Sequence, residues 1–154
     1  MTSIDLNGGL VVVTGGAGSI GSAIALHAAQ AGASVAVCDT NIEAAGRIAA
    51  EIRSNGGVSE GFQLDVTDAA AVRQIMQSSV EKLGEMRGLV TAAGLLRTGP
   101  LATQTHQDWQ QMMAVNVDGT FHAVQAAIPY LKSRRGSIVT MGSVSAFIGS
   151  ADGG

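Results

Sequence analysis

The sequence has few of the residues that several classes of protein require. It contains one cysteine, Cys38, among 154 residues, which excludes an intramolecular disulfide and is typical of a reducing compartment. Charged residues make up 14% of the chain and hydrophobic residues 46%, a balance that excludes intrinsic disorder. The net charge of −3 lacks the basic excess that nucleic-acid-binding proteins usually carry. We therefore expect one globular domain over residues 1–154 that does not bind nucleic acid.

Other absences bear on location and on metals. No apolar run reaches the roughly 18 residues that a membrane-spanning helix needs. The N-terminus, residues 1–5, lacks the basic region of a signal peptide. His27, His106 and His122 are the three histidines, and they do not show the spacing of metal ligands. The sequence predicts a cytoplasmic protein with no membrane partner and no metal site.

What the chain has instead is 21 glycines and a regular alternation of short apolar runs with segments of helical spacing. The apolar runs predict strands at residues 10–13, 34–38, 58–64, 89–91 and 137–141. The helical spacing predicts helices at residues 20–31, 41–53, 68–83 and 107–131. Strands and helices in alternation give parallel pairing through right-handed crossovers. The predicted fold class is therefore α/β, with a doubly wound parallel sheet between two helix layers and ligands at the carboxyl ends of the strands.

A glycine-rich loop joins the first strand to the first helix. Gly15, Gly18 and Gly21 let the backbone approach a pyrophosphate closely, and the N-terminus of the helix attracts its charge. Asp39 ends the second strand, 18 residues beyond Gly21, where a carboxylate can bind both ribose hydroxyls of adenosine. A carboxylate there repels a 2′-phosphate, so the sequence favours NAD over NADP. The alternative is a solvated loop aspartate.

The segment Thr14–Gly21 resembles the Thr-Gly-x-x-x-Gly-x-Gly motif of the short-chain dehydrogenase/reductase family, with Ser19 in place of the middle glycine. The resemblance extends over essentially the whole chain. It implies a three-layer α/β/α Rossmann fold that is incomplete at the C-terminus. It also implies that the cofactor pyrophosphate is held by Thr14, Gly15, Gly18, Ser19, Ile20 and Gly21. The same stretch fits the Thr-Gly-x-x-Gly-x-x-Gly spacing of a longer branch of the family, which acts on nucleotide sugars.

Two later segments favour the shorter, alcohol-dehydrogenase-like branch. Residues 64–68 resemble the adenine-pocket motif of the family, which implies Asp65 near the adenine amino group and Val66 beside the ring. Residues 90–94 resemble its Asn-Asn-Ala-Gly motif, although only Ala93 and Gly94 match and Thr91 and Ala92 stand where the two asparagines are usual. The resemblance implies backbone contacts with the cofactor from Ala92, Ala93 and Gly94.

Asn116 interrupts an apolar stripe on the longest predicted helix, residues 107–131. The stripe consists of Trp109, Met112, Met113, Val117, Phe121, Val124, Ile128 and Leu131. At 100° per residue Asn116 falls inside this stripe, which predicts a buried amide with a hydrogen-bond partner. Residues 115–120 resemble the Asn-Val-x-Gly segment of the family, which implies that Asn116 holds a water in a proton relay. The bare residues also allow a core asparagine with no catalytic part.

Ser143 follows the fifth strand within residues 136–143. A serine after a strand is most often a turn residue. The segment resembles the strand that delivers the catalytic serine of the family, which implies that the Ser143 hydroxyl holds the carbonyl or alcohol oxygen of the substrate. Ser145 is the alternative to this assignment.

The general acid/base of the family is a tyrosine in a Tyr-x-x-x-Lys motif that would fall beyond Gly154. Tyr130 is followed four residues later by Arg134, not by lysine, and does not replace it. We expect part of an NAD-dependent dehydrogenase that acts on a secondary alcohol or ketone, inactive as residues 1–154 alone. The complete chain is expected to form a homo-oligomer through its long helix. The alternatives are a non-catalytic NAD-binding or interaction module and a nucleotide-sugar enzyme of the longer branch.

Overall fold

The computed structural model describes residues 6, 8–133 and 135–144. The strands are β1 (Leu10–Thr14), β2 (Ser34–Asp39), β3 (Val58–Gln63), β4 (Met86–Thr91) and β5 (Ser137–Thr140). The α-helices are α1 (Ser19–Gln30), α2 (Ile42–Ser54), α3 (Ala69–Leu83), α4 (His106–Met113) and α5 (Gly119–Lys132). In this described part of the chain, no helix has both the length and the apolar character needed to cross a bilayer.

The five strands form one parallel sheet in the order β3-β2-β1-β4-β5. The chain therefore leaves β1 toward one edge of the sheet and later returns to fill the other, so the strand order reverses between β1 and β4. Thr14, at the end of β1, pairs with Cys38 of β2 on one side and with Thr91 of β4 on the other. The predicted doubly wound α/β fold is confirmed.

β4 begins at Met86, three residues earlier than the apolar pattern predicts. Met86 is buried, whereas Arg87 is exposed and Gly88 has no side chain to bury. The apolar run is therefore broken at its start, although the backbone already pairs with β1. The sequence pattern reveals only the part of β4 that is buried on both faces.

Alternate residues of β1 enter two separate cores. Val12 packs in the core that α3 and α5 cover, whereas Val11 and Val13 pack in the core that α1 and α2 cover. This alternation is the two-residue period of a strand that is buried on both faces. Cys38 lies fully buried in β2, where burial raises the pKa of its thiol to about 12. Cys38 therefore contributes to the core as a small strand residue.

Side-chain caps explain where three of the helices begin. The Asn41 Oδ1 atom accepts from the Ala44 amide at the start of α2. Asp68 Oδ1 accepts from the Ala70 and Ala71 amides in the first turn of α3, at 2.8 and 3.0 Å. Thr105 and Asp108 form a reciprocal capping box before α4. Polar side chains at these positions satisfy amides that a helix leaves unpaired in its first turn.

The continuous helix predicted over residues 107–131 is wrong in its middle. A π-helical segment, Ala114–Asp118, joins α4 to α5, and the Gly119 amide donates to the Ala114 carbonyl five residues back. The helical run also begins and ends one residue outside the predicted bounds. A π turn holds more residues than an α turn, so a projection at 100° per residue fails across this segment.

Half of the predicted apolar stripe lies on the surface. Trp109, Val117, Phe121 and Ile128 have between 38% and 59% of their surface exposed. Leu131 is the stripe member that is fully within the core. The core contacts of α5 come instead from small residues, namely Gly119, Ala123, Ala126 and Ala127.

Candidate cofactor-binding site

A cleft of about 230 Å³ opens at the carboxyl ends of β1, β2 and β4, beside the point where the strand order reverses. The structure brings together here six of the residues predicted to bind the cofactor, namely Gly15, Asp39, Asp65, Val66, Ala93 and Gly94. Parallel sheets place their ligand sites at this position. The remaining predicted residues lie around the cleft and do not line it.

The glycine-rich loop packs so tightly that side chains are excluded from it. Gly15 has a φ of +65°, and a Cβ atom there would lie 2.5 Å from the Ala93 amide nitrogen. A Cβ on Gly21 would overlap the Gly15 carbonyl. A Cβ on Gly16 would lie 2.8 Å from a Val37 methyl group, so this position also needs glycine, although the motif did not single it out.

The N-terminus of α1 emerges from this loop without a side-chain cap. Gly18 occupies the capping position, and within the described residues no side chain caps this helix or places a carboxylate in its first turn. The positive end of the helix dipole and the first amides therefore suit an anion. Ser19 begins the helix without a positive φ, so it does not need the freedom of the glycine it replaces. Ile20 follows it with an exposed side chain.

Asp39 joins the glycine-rich loop to the end of β2. Its Oδ2 atom accepts from the Ala17 amide at 3.0 Å, and its Oδ1 atom accepts from the Asn41 amide at 3.1 Å. The Thr40 hydroxyl also donates to Oδ1, at 3.5 Å. A carboxylate offers about four acceptor positions, so the two amide bonds leave room for two ribose hydroxyls once this long bond from Thr40 is exchanged for one of them. Asp39 is half-buried at the wall of the cleft.

The segment after β3 forms the opposite wall of the cleft. Asp65 Oδ1 accepts from both the amide and the hydroxyl of Thr67, at 2.9 and 2.7 Å, which closes a tight turn. Val66 lies buried at the base of this turn. Asp68 then caps α3, and the amides of Ala71 and Ala70 hold the pKa of its carboxyl below the usual range.

The end of β4 supplies backbone to the cleft and leaves two hydroxyls unsatisfied. The Ala92 amide donates to the Thr14 carbonyl at 3.0 Å. Ala92 itself packs toward α1 and α2, so it supports the cleft from behind. Thr14 and Thr91 are 1% and 3% exposed, and neither hydroxyl has a hydrogen-bond partner among the described residues.

Asn116 is exposed, so the prediction of a buried amide is wrong. The predicted partner does exist, because Asn116 Oδ1 accepts from the Leu95 amide and Asn116 Nδ2 donates to the Leu95 carbonyl, both at 2.8 Å. Asn116 lies within the π-helical segment beside Val117, which is also exposed, so the apolar stripe does not mark a buried side of the helix at this point. Its effect is to hold the loop after β4. Its binding of a water in a proton relay stays a prediction.

Ser143 lies three residues beyond β5 and is exposed. Thr140 at the end of β5 pairs with Thr91 at the end of β4. Ser143 therefore follows the sheet at the carboxyl ends of the strands, as does the loop that carries Ala93. Its catalytic role stays a prediction. Ser145, the alternative assignment, lies outside the described residues.

The motifs missed part of the cleft wall. The additional lining residues are Thr40, Leu64, Leu95 and Val115. Leu64 and Val115 begin the segments 64–68 and 115–120 that resemble family motifs, although no role was assigned to them, and Thr40 and Leu95 directly follow residues that were identified. Asp39 and Asp65 are the charged residues of the wall, and among the described residues that line it there is no lysine or arginine.

A doubly wound sheet with a glycine-rich turn at its reversal point defines a dinucleotide-binding α/β protein. Residues 9–154 match the model of the family described as short chain dehydrogenase. The chain therefore belongs to the short-chain dehydrogenase family.

Similar proteins carry several dehydrogenase and reductase names. The chain is 39% identical over 141 residues to 2-(S)-hydroxypropyl-CoM dehydrogenase 3 of Xanthobacter autotrophicus, covering 91% of this chain and 55% of that protein. It is 34% identical over 145 residues to the 3-oxoacyl-acyl-carrier-protein reductase FabG of Thermotoga maritima, covering 94% of this chain and 59% of that protein. A crystal structure of a dehydrogenase/reductase from Sinorhizobium meliloti 1021 superposes with a TM-score of 0.93 at 38% identity, covering 99% and 60% of the two chains. The chain thus spans little more than half the length of these relatives.

Proposed function

We propose that the chain is the cofactor-binding part of an oxidoreductase that uses NAD(H) and transfers hydride between the nicotinamide and a secondary alcohol or ketone. The relatives named as dehydrogenases and reductases support the reaction class. We also propose a cytoplasmic location, for which the low cysteine content of the sequence is the support.

The negative charge of the cleft is the observation that favours NAD over NADP. Two carboxylates, Asp39 and Asp65, line it, and no cation faces them among the described lining residues. The 2′-phosphate of NADP would need a positive partner at the ribose, where instead the Asp39 carboxylate would repel it. The ribose hydroxyls of NAD can instead donate hydrogen bonds to the Asp39 carboxylate.

The residues of the chain divide the binding task among them. Gly15, Gly18 and the first turn of α1 would hold the pyrophosphate, Asp39 the adenosine ribose, and Val66 the adenine. The nicotinamide ring supplies the hydride acceptor when the cofactor is bound. Ser143 would donate a hydrogen bond to the substrate oxygen. Asn116 keeps one donor and one acceptor position beyond its bonds to Leu95, which suffices for one water.

Binding and turnover should be measured on the polypeptide produced from its natural gene. Calorimetric titration with NAD and NADP tests the cofactor, and we expect NAD to bind at least about tenfold more tightly. The absorbance of NADH, followed with a panel of secondary alcohols and ketones, tests the reaction. Failure of both cofactors to bind would overturn the proposal.

The same measurements separate the two alternatives. NAD binding without turnover of any alcohol or ketone would indicate a non-catalytic binding or interaction module. Turnover of a nucleotide sugar in preference to simple alcohols would indicate the longer branch of the family.

Self-association through the exposed face of α5 is the partner interaction that we propose. Phe121 and Ile128 lie seven residues apart on one side of this helix, and Val117 precedes them at its π-helical start. Exposed apolar residues grouped in this way are typical of protein interfaces. Sedimentation of the natural polypeptide should show an oligomer that Phe121→Glu converts to a smaller species, while Ala50→Glu, at an exposed position of α2 on the other side of the sheet, should not. A monomeric wild-type protein would contradict the proposal.

A further inference from the structure

One long-range hydrogen bond fixes the adenine side of the cleft to α5. The His122 Nδ1 atom lies 3.0 Å from the Val66 carbonyl oxygen, although 56 residues separate them along the chain. The imidazole is half-buried between the helix and the turn that begins with Asp65. Val66 belongs to the wall of the cleft, so this bond acts on the site from behind.

The chemistry of the bond fixes the role of each partner. A carbonyl oxygen only accepts, so His122 must carry its proton on Nδ1 to make this contact. Nδ1 is a donor in that neutral tautomer and in the imidazolium cation, so the bond does not depend on the charge of the ring. The contact is therefore a constant anchor for the wall.

Packing reinforces the same contact one turn earlier on α5. Gly119 is buried, and a Cβ atom there would lie 2.9 Å from the Val66 Cβ atom. The Val66 side chain therefore rests directly on the helix backbone, while His122 holds its carbonyl. His122 also lies close enough to Asp68 for its positive charge to contribute, after the backbone bonds and Arg73, to lowering the pKa of that carboxyl.

The same helical run holds the facing wall of the cleft. Asn116, in the π-helical segment before α5, makes the two hydrogen bonds to Leu95, and Leu95 lines the cleft as Val66 does. The two walls are thus fastened to one rigid element at points six residues apart. The separation between them is set by the backbone of this run.

We infer that His122 is a positioning residue that holds the Val66 wall at the distance an adenine ring requires. This inference rests on the proposed function for its ligand, but the contact itself belongs to the unliganded chain. His122 does not line the cleft, so it acts through Val66 and not by touching the nucleotide.

Three variants of the natural polypeptide test the inference. His122→Leu keeps the bulk of the side chain and removes the donor, His122→Asn keeps a donor close to the position of Nδ1, and Gln125→Leu makes a matched polar-to-apolar change on the exposed face of α5. ADP is the probe, because it carries the adenine end of the cofactor. The ADP dissociation constant should rise about three- to tenfold in His122→Leu, as for one lost hydrogen bond. It should stay near wild type in the other two variants.

Hydrogen exchange without nucleotide supplies an independent readout. The amides of Thr67 and Asp68 donate to the side chain and the carbonyl of Asp65, within the turn that Asp65 begins. Both amides should exchange faster in His122→Leu than in wild type or Gln125→Leu. If the wild-type protein binds neither ADP nor NAD, the proposed function fails, and exchange alone then decides the positioning role. If ADP affinity and exchange in His122→Leu both match wild type, the positioning role is overturned. A fall in ADP affinity that His122→Asn does not restore would also overturn it, because loss of the donor would not be the cause.

Discussion

The Ala17 amide donates a hydrogen bond of 3.0 Å to the Asp39 carboxylate across 22 residues of chain. This bond connects the loop that would hold a pyrophosphate with the residue that would hold a ribose. Asp39 therefore has two tasks, one in the free protein and one in the complex. A substitution at Asp39 changes both, and the experiment must separate them.

Cofactor choice should follow the charge of Asp39. In Asp39→Ala the affinity for NAD should fall about tenfold or more, because acceptors for both ribose hydroxyls are lost. The affinity for NADP should change less, because the repulsion of its 2′-phosphate is also removed. Asp39→Asn keeps an oxygen for the Ala17 amide and serves as the control for loop stability. Equal losses for both cofactors in Asp39→Ala would show that Asp39 does not bind the ribose.

A methyl group should be tolerated at Gly46 of α2 but not at Gly21, where the glycine-rich loop packs against α1. Gly21→Ala places a Cβ against the Gly15 carbonyl, so we expect a loss of roughly 1–3 kcal/mol in unfolding free energy and loss of nucleotide binding. Gly46 has no atom within 4 Å of its added Cβ, and Gly46→Ala should stabilise the protein by about 0.5–1 kcal/mol. Urea denaturation measures both. The prediction fails if the two variants shift the midpoint equally.

The two bonds between Asn116 and Leu95 should be visible in both stability and local exchange. Asn116→Ala removes both, and we expect a loss of roughly 1–2 kcal/mol in unfolding free energy together with faster exchange of the Leu95 amide. Asp118→Ala alters an exposed residue of the same π-helical segment and should change stability by less than about 0.5 kcal/mol. An unchanged Leu95 amide in Asn116→Ala would contradict the geometry.

The buried hydroxyl of Thr91 should cost stability. Thr91→Val keeps the shape of the side chain and removes a group with no protein partner, so the unfolding free energy should rise by about 1 kcal/mol. Thr140→Val, at the paired position of exposed β5, should be close to neutral. A decrease in the stability of Thr91→Val would mean instead that an ordered water satisfies the hydroxyls of Thr14 and Thr91.

Cys38 should be unreactive in the folded protein. Burial, with a smaller contribution from the Asp39 charge, raises the pKa of its thiol from 9.0 to about 12, so the thiolate that alkylating reagents attack is scarce. Iodoacetamide at a pH below 9 should label the urea-unfolded chain and leave the native chain unlabelled, as mass spectrometry would show. The raised pKa also makes the thiol a source of stability that is complete below pH 9 and lost as the pH rises toward 12. Rapid labelling of the native chain would contradict its burial.

The loop after β1 and the Asp39 carboxylate at the end of β2 could be predicted from the sequence because each depends on a few adjacent residues. Gly15 and Gly21 must lack side chains for local steric reasons, and Asp39 stands at a strand end that the apolar pattern marks. The cleft that joins them follows from the parallel order of the strands. Local chemistry and topology were sufficient for this part of the site.

The remaining walls depend on contacts that no local pattern contains. Val66 meets His122 across 56 residues, and Leu95 meets Asn116 across 21. The π-helical geometry before α5 has no periodic pattern in the sequence that would mark it, and Gly119, directly after it, packs against Val66. The helical projection took the apolar stripe as the buried side of the helix, so it placed Asn116 in the core, whereas the structure exposes Asn116 together with Val117 and Phe121.

The π-helical segment determines how the cleft responds to the loss of one residue from the helical run that contacts both of its walls. A π turn closes over one residue more than an α turn, and each residue of a helix advances it by about 100°. Deleting one residue other than Asn116 from Ala114–Asp118 would let the helix run on without a break, at little cost to its own hydrogen bonds. Because a π turn and an α turn each close one full turn, α5 and His122 would keep their direction toward Val66. Deleting one residue from α5 between Gly119 and His122 would instead rotate the two parts of the helix by about 100° against each other and separate His122 from Val66. We therefore expect a change of one residue in chain length to be tolerated in the π-helical segment and not in α5.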